Sequence, residues 1–272
     1  MNKVCASILG LACVITFMHA ELATAQSYPK SSFSTDVSDL WWNPNESGWG
    51  MQLVQQGSMV FATLFIYGPD NTARWATAQL EPVASLTWTG PLYITNGPWF
   101  GGPFNPANVG IRQAGTMTFS APLVASGTVT YSIDGVQVTK HVERQLLTYD
   151  NYNGSYVVSV NLTASGCFNP ALNGVGTGLM SMSVNQAGTA MSMSWFFPTN
   201  SSTCAYNGSY GQSGRMGKFN GGFSCSTGEV GTMTLFEMTN RIGMMSGRLN
   251  GQGSNTGCKY TGRFTGLDPS KP

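Results

Sequence analysis

The densest group of residues able to do chemistry fills ten positions, Trp41-Trp42-Asn43-Pro44-Asn45-Glu46-Ser47-Gly48-Trp49-Gly50. Three indoles offer flat faces for stacking on sugar or aromatic rings, and N–H groups for hydrogen bonds. Glu46 could bind a hydroxyl or act as an acid. The same residues also suit a packed corner. Trp41, Trp42 and Trp49 would then plug one end of a barrel, and Glu46 would cap backbone N–H groups of a turn shaped by Pro44 and Gly48. Tryptophans at strand starts serve packing more often than recognition, so packing is the first reading. A second aromatic group, Trp88, Tyr93, Trp99, Phe100 and Phe104, accompanies a Gly/Pro-rich loop at 90–106 that Pro98, Pro103 and Pro106 stiffen. Ordered loops on β scaffolds often carry binding. Together Trp41, Trp42, Glu46, Trp49, Trp88 and Trp99 predict an aromatic cleft for a glycan or a small apolar or aromatic ligand. The competing expectation is a lid packed over a barrel mouth.

Other chemistries are less well supported. Met180, Met182, Met191 and Met193 alternate with serine and share one face of a hairpin. Thioethers suit Cu(I), but no histidine cluster accompanies them and methionine is an adaptable core filler, so no metal site is expected. His141 lies in Lys140-His141-Val142-Glu143-Arg144, which reads as the solvent face of a strand. A carboxylate pair such as Glu46 with Glu237 could serve a glycosidase, although nothing in the sequence places them together. There is no Gly-x-Ser-x-Gly, His-Glu-x-x-His, P-loop or dinucleotide fingerprint, and no cofactor is expected.

The Trp41–Gly50 segment resembles that of a group of secreted bacterial proteins carrying Trp-Trp-x-Pro-x-Glu-Ser-Gly-Trp-Gly. In that group an apolar strand pair follows, with an aromatic-Tyr end and a further Trp. Phe65-Ile66-Tyr67 and Arg74-Trp75 match that tail here. The likeness covers mainly the first half. It implies export and a β module, and it implies no reaction or ligand.

These residues must be positioned by strands. Lys3, the apolar run Val4–Met18 and Ala23-Thr24-Ala25 read as a signal peptide over 1–25. Its removal leaves four cysteines, Cys167, Cys204, Cys225 and Cys258. An even count in an exported chain predicts two disulfides. Charged residues make up only 9% of the chain and the net charge is +1, which gives no footprint for nucleic acid. No later apolar run is long enough for a membrane-spanning helix. Period-two alternation at 128–133, 155–162, 180–185 and 191–195 predicts an all-β chain of antiparallel barrels or sandwiches. Asp134-Gly135 marks a hairpin turn.

Two halves, 36–147 and 148–267, show the same order of elements and read as a divergent duplication. Gly115-Thr116-Met117-Thr118 has its counterpart in Gly231-Thr232-Met233-Thr234. Val60–Tyr67 is apolar on both faces, predicting a strand covered on both sides. A turn centred on Gln186-Ala187 would pair Met182 with Met191. Extending that register predicts Cys167–Cys204, leaving Cys225–Cys258. The functional expectation is an exported, non-enzymatic binding or surface-interaction protein. A secreted hydrolase using Glu46 and an envelope or matrix structural protein are the alternatives, and the oligomeric state is left open.

Overall fold

The computed structural model describes residues 36–271. The expected signal peptide, with Cys5 and Cys13, lies outside the described residues. The chain is all-β and closes into two antiparallel barrels of eight strands each. The first comprises β1 (Asp39–Trp42), β2 (Gly50–Gln56), β3 (Met59–Tyr67), β4 (Ala73–Ala84), β5 (Thr87–Asn96), β6 (Gly110–Ser120), β7 (Ser126–Ile133) and β8 (Val136–Arg144). The second comprises β9 (Gly154–Ser165), β10 (Gly174–Ala187), β11 (Ala190–Phe197), β12 (Ser202–Ser213), β13 (Met216–Cys225), β14 (Val230–Arg241), β15 (Met244–Gly253) and β16 (Lys259–Leu267). Each is an up-and-down meander, with β1 pairing with β8 and β9 with β16 to close the rings. The seam of the second barrel runs the length of β16, whereas β8 meets the short β1 only at Trp41–Arg144 and Trp42–Glu143.

The alternation in sequence becomes inside and outside. In the second barrel Met180, Met182, Met191, Met193 and Trp195 all point into the core. The methionine face is therefore core packing. The Asp134-Gly135 turn forms as expected, with φ of 50° and 84° at its two residues, the double left-handed geometry of a type I′ hairpin.

The methionine hairpin corrects the expected register. Ala187 pairs with Ala190, so the turn is the two residues Gly188-Thr189, and Met182 faces Trp195 in place of Met191. Gly188 sits at φ 61°, at the first turn position, where II′ hairpins place glycine. The turn thus lies two residues later than expected, and the disulfide pairing built on it changes too. The bridges are Cys204–Cys225 and Cys167–Cys258. Cys204 and Cys225 stand directly opposite each other on β12 and β13. Cys167 and Cys258 flank the Ser165–Lys259 pair where β9 meets β16, so that bridge locks the seam of the barrel.

The expectation that β3 is covered on both faces is also corrected. Val60, Ala62 and Leu64 are buried, but Phe61, Phe65 and Tyr67 on the outer face are 44%, 51% and 59% exposed. Phe65 instead pairs across strands with Trp75, itself half exposed. Aromatic cross-strand pairs stabilise a sheet without needing a second layer.

The two ends of the first barrel differ. At one end Trp41 meets Phe119 edge-on at 5.0 Å, and Trp88 stacks on the same ring at 6.4 Å. Both indole N–H groups are satisfied by backbone carbonyls, Trp41 donating to Val37 and Trp88 to Ser58, each at 2.9 Å. Arg144 seals this end. Its guanidinium lies 4.7 Å from the Trp41 ring, pairs with Asp39 at 2.9 Å and donates to the carbonyls of Asp36, Ser38 and Val124. The turn at Arg215 in the second barrel reaches the same place. Its N–H donates to Asp39, and its guanidinium donates to the Ser38 carbonyl and the Asp36 carboxylate. The opposite end of the first barrel carries the segments 43–49, 68–72, 97–109 and 134–135 and stays open.

Candidate functional site

The Trp-rich segment forms the β1–β2 connection at that open end. Asn43 starts it, its side-chain oxygen accepting from Asn45 N–H at 3.0 Å, while Glu46 N–H closes onto the Asn43 carbonyl at 3.0 Å. Gly48 follows at φ 113°, a left-handed conformation that disfavours any other residue. The Gly48 carbonyl accepts the Tyr67 hydroxyl at 2.9 Å, pinning the loop to the end of β3. Trp49 then turns back into the barrel, its indole N–H donating to Glu46 at 3.0 Å. Glu46 in turn meets Lys140, an inward-facing residue of β8, at 2.7 Å.

Below this loop lies a cavity of about 580 Å³. Its wall is Trp49, Ile66, Ile94, Tyr131, Ile133 and Val138, the inward positions where strands β3, β5, β7 and β8 reach the mouth. The five aliphatic and indole members of that set are half-buried and pack on the barrel core. The rim carries Glu46, Lys140, Arg74 and Asp134, with Trp75 and Tyr67 on one side.

Every rim charge is matched. Besides Glu46–Lys140, Arg112 clamps Asp134 with two bonds at 2.5 and 3.0 Å, and Arg74 pairs with Asp70 at 3.3 Å. The Lys140 hydrogen bond holds the Glu46 carboxyl below its ordinary value, helped by the Trp49 N–H. Arg112 does the same for Asp134. Burial pushes the Tyr131 phenol up. The cavity thus presents apolar walls, two carboxylates held ionised at neutral pH and a phenol held neutral.

The expected site residues separate into three groups. Glu46 and Trp49 line the cavity. Trp41 and Trp88 are core side chains, 1% and 4% exposed, with no face left for a ligand. Trp42 sits half-buried on the outside of the barrel, next to Gly50, and Trp99 is 72% exposed in the β5–β6 loop, its ring against Phe100 and folded over Gly101. His141 is an exposed outer-face residue, and Glu237 belongs to the second barrel, paired with Arg248. No carboxylate pair bridges Glu46 and Glu237. Among the described residues no group of three or more His, Cys, Asp or Glu could hold a metal ion.

Reading the sequence alone misses Lys140, Arg74, Tyr131 and the isoleucines at 66, 94 and 133. They are inward positions of β3, β4, β5, β7 and β8 near the open end, a signal that emerges once the strand order is known. A second missed signal is the loop itself. Trp42-Asn43-Pro44, with Gly48 and Gly50, recurs at the same spacing as Phe168-Asn169-Pro170, with Gly174 and Gly176. Asn169 accepts from Ala171 N–H as Asn43 does from Asn45 N–H. The two copies diverge where chemistry would act, with Leu172 and Val175 in place of Glu46 and Trp49. At the matching end of the second barrel the interior is filled by Trp195, Tyr206, Phe223 and Tyr260 in mutual ring contact, and both disulfides clamp it. The first copy keeps an open mouth and the second is packed shut.

Comparison of the chain with protein-family models, with curated proteins and with solved structures finds no match in any of the three.

Proposed function

We propose that the protein is an exported, non-enzymatic binding protein whose first barrel holds a small, uncharged apolar or aromatic molecule in its mouth. The observation that carries this reading is the cavity of about 580 Å³ walled by Trp49, Ile66, Ile94, Ile133 and Val138. Small-molecule sites are typically concave, mostly apolar and of about 300–1,000 Å³, with a few placed polar groups. The matched rim charges favour a neutral ligand over an ion. The apolar wall offers few partners for sugar hydroxyls, which favours the apolar or aromatic class over a glycan.

A general acid needs a pKa near the working pH, and Glu46 and Asp134 are held in the opposite direction. This supports binding over hydrolysis. The second barrel, braced by two disulfides, is the scaffold, and disulfides of this kind persist outside the cytoplasm. The test is titration with the neutral fluorophore N-phenyl-1-naphthylamine. Wild-type protein should bind it with transfer from Trp49, and Ile133→Trp, which fills the mouth, should weaken binding by at least about tenfold. Undiminished binding by a folded Ile133→Trp variant would remove the cavity from the account.

A further inference from the structure

The polar groups lining the mouth cavity are spent on one another or on the backbone, with one exception. The Trp49 indole donates to Glu46, which also holds Lys140. The Tyr67 hydroxyl donates to the Gly48 carbonyl, Arg74 pairs with Asp70, and Arg112 clamps Asp134. The Trp75 indole belongs to the outer face and is half exposed to water. Tyr131 differs from all of these. It is an inward residue of β7, on the same face as Val129 and Ile133, and is only 9% exposed. Among the described residues its hydroxyl has no hydrogen-bond partner. The oxygen is not sealed in the core, as the indole nitrogen of Trp195 is in the second barrel. The cavity reaches it. Burial holds the phenol protonated, so at neutral pH the group has a hydrogen to donate. In the second barrel the matching position, opposite Met233 as Tyr131 is opposite Met117, is Gly251. The phenol is a feature of the open copy.

We infer that the mouth selects an apolar molecule with one uncharged carbonyl oxygen, which accepts the Tyr131 hydroxyl hydrogen while the hydrocarbon lies against Trp49, Ile66, Ile94, Ile133 and Val138. The inference rests on the cavity reading above and narrows its ligand class. Water can serve the phenol while the cavity is open to solvent. A plain hydrocarbon that displaces this water leaves a buried donor unpaired. A site built around such a donor rejects a ligand without the matching group more strongly than an apolar wall alone does. An alcohol fits less well than a carbonyl, because its own hydrogen needs an acceptor. Both carboxylates at the mouth are already engaged, Glu46 by Trp49 and Lys140, and Asp134 by the two arms of Arg112.

The experiment is displacement of N-phenyl-1-naphthylamine from the full mature chain by acetylnaphthalene, by its planar hydrocarbon analogue isopropenylnaphthalene and by the corresponding alcohol. Wild type and Tyr131→Phe are compared, and circular dichroism checks that the variant folds. Wild-type protein should prefer the ketone to the hydrocarbon by at least about fivefold, and Tyr131→Phe should bring that ratio close to one. The infrared carbonyl band of the bound ketone should lie at lower wavenumber in the wild type than in the variant, a shift that a purely steric role for the ring would not produce. Should the variant fail to fold, the wild-type preference decides alone. Equal wild-type affinities for ketone and hydrocarbon, a preference for the alcohol, or a ratio and band unchanged in Tyr131→Phe would overturn the inference and leave the cavity reading standing. Wild-type protein that does not bind the fluorophore removes the cavity reading, and the inference falls with it.

Discussion

Trp41→Ala tests whether the first tryptophan of the motif is structural. The Trp41 side chain is 1% exposed, stands edge-on to Phe119, donates to the Val37 carbonyl and supports the Arg144 guanidinium at 4.7 Å. Truncating a buried tryptophan costs about 3–5 kcal/mol. The orphaned carbonyl adds about 1 kcal/mol, so a loss of about 4–6 kcal/mol is expected. With a urea slope of about 2 kcal/mol/M, the midpoint falls by about 2–3 M. Trp49→Ala removes a half-buried ring from the cavity wall, and its expected cost is about 1–2 kcal/mol, a shift of less than about 1 M. Of the seven tryptophans only Trp195 lies in the second barrel, so intrinsic fluorescence in urea reports the first barrel almost alone. Equal shifts for the two variants, or a larger one for Trp49→Ala, would refute the division of the motif into a core half and a ligand-facing half.

Arg144→Ala should destabilise the first barrel by about 2–3 kcal/mol, because it takes a buried guanidinium from the Asp39 carboxylate, the Val124 carbonyl and the Trp41 ring while Arg215 still serves Asp39; urea melts check this. Reduction should act on the second barrel alone. Chain-entropy reasoning gives about 3.3 kcal/mol for the Cys204–Cys225 loop and about 4.6 kcal/mol for Cys167–Cys258, whose sequence separations are 21 and 91. Serine variants of each pair, melted with and without reductant, should preserve that order. Glu46 has a pKa lowered from 4.5, so its pairing with Lys140 contributes fully above that value and is lost as pH falls through the depressed one. Fluorophore binding should therefore stay flat through neutral pH and change only in acid. A transition near neutrality would mean that another group governs the mouth.

Much of the architecture was legible because alternation in a barrel is direct. Met180, Met182, Met191 and Met193 face inward for the reason their serine neighbours suggest. Asp134-Gly135 turns where its residues allow positive φ. Register was not legible, because shifting a turn by two residues keeps every side chain on its face while changing its partner. Hydrophobicity alone therefore cannot separate Met182–Met191 from Met182–Trp195. The disulfide pairing, inferred through register, failed with it. The site was half legible. Glu46 and Trp49 lie in the segment that stood out, but Ile66, Ile94, Ile133 and Lys140 come from four strands, and only ring closure brings them together. The tryptophans at 41 and 88 looked equivalent to Trp49 because indole serves a core as readily as a ligand. The outer aromatics Phe65 and Trp75 misled for a related reason, since apolar residues on both faces of a strand imply a cover only when one exists.

The indole N–H of Trp49, held by Glu46 at the mouth, is the most direct reporter of the central claim. In a proton–nitrogen correlation spectrum titrated with N-phenyl-1-naphthylamine, the Trp49 indole signal should shift while those of Trp41, Trp88 and Trp195, buried in the two cores, stay in place. A static Trp49 signal under saturating fluorophore, or shifts confined to the second barrel, would contradict the assignment of the binding site to the first barrel's mouth.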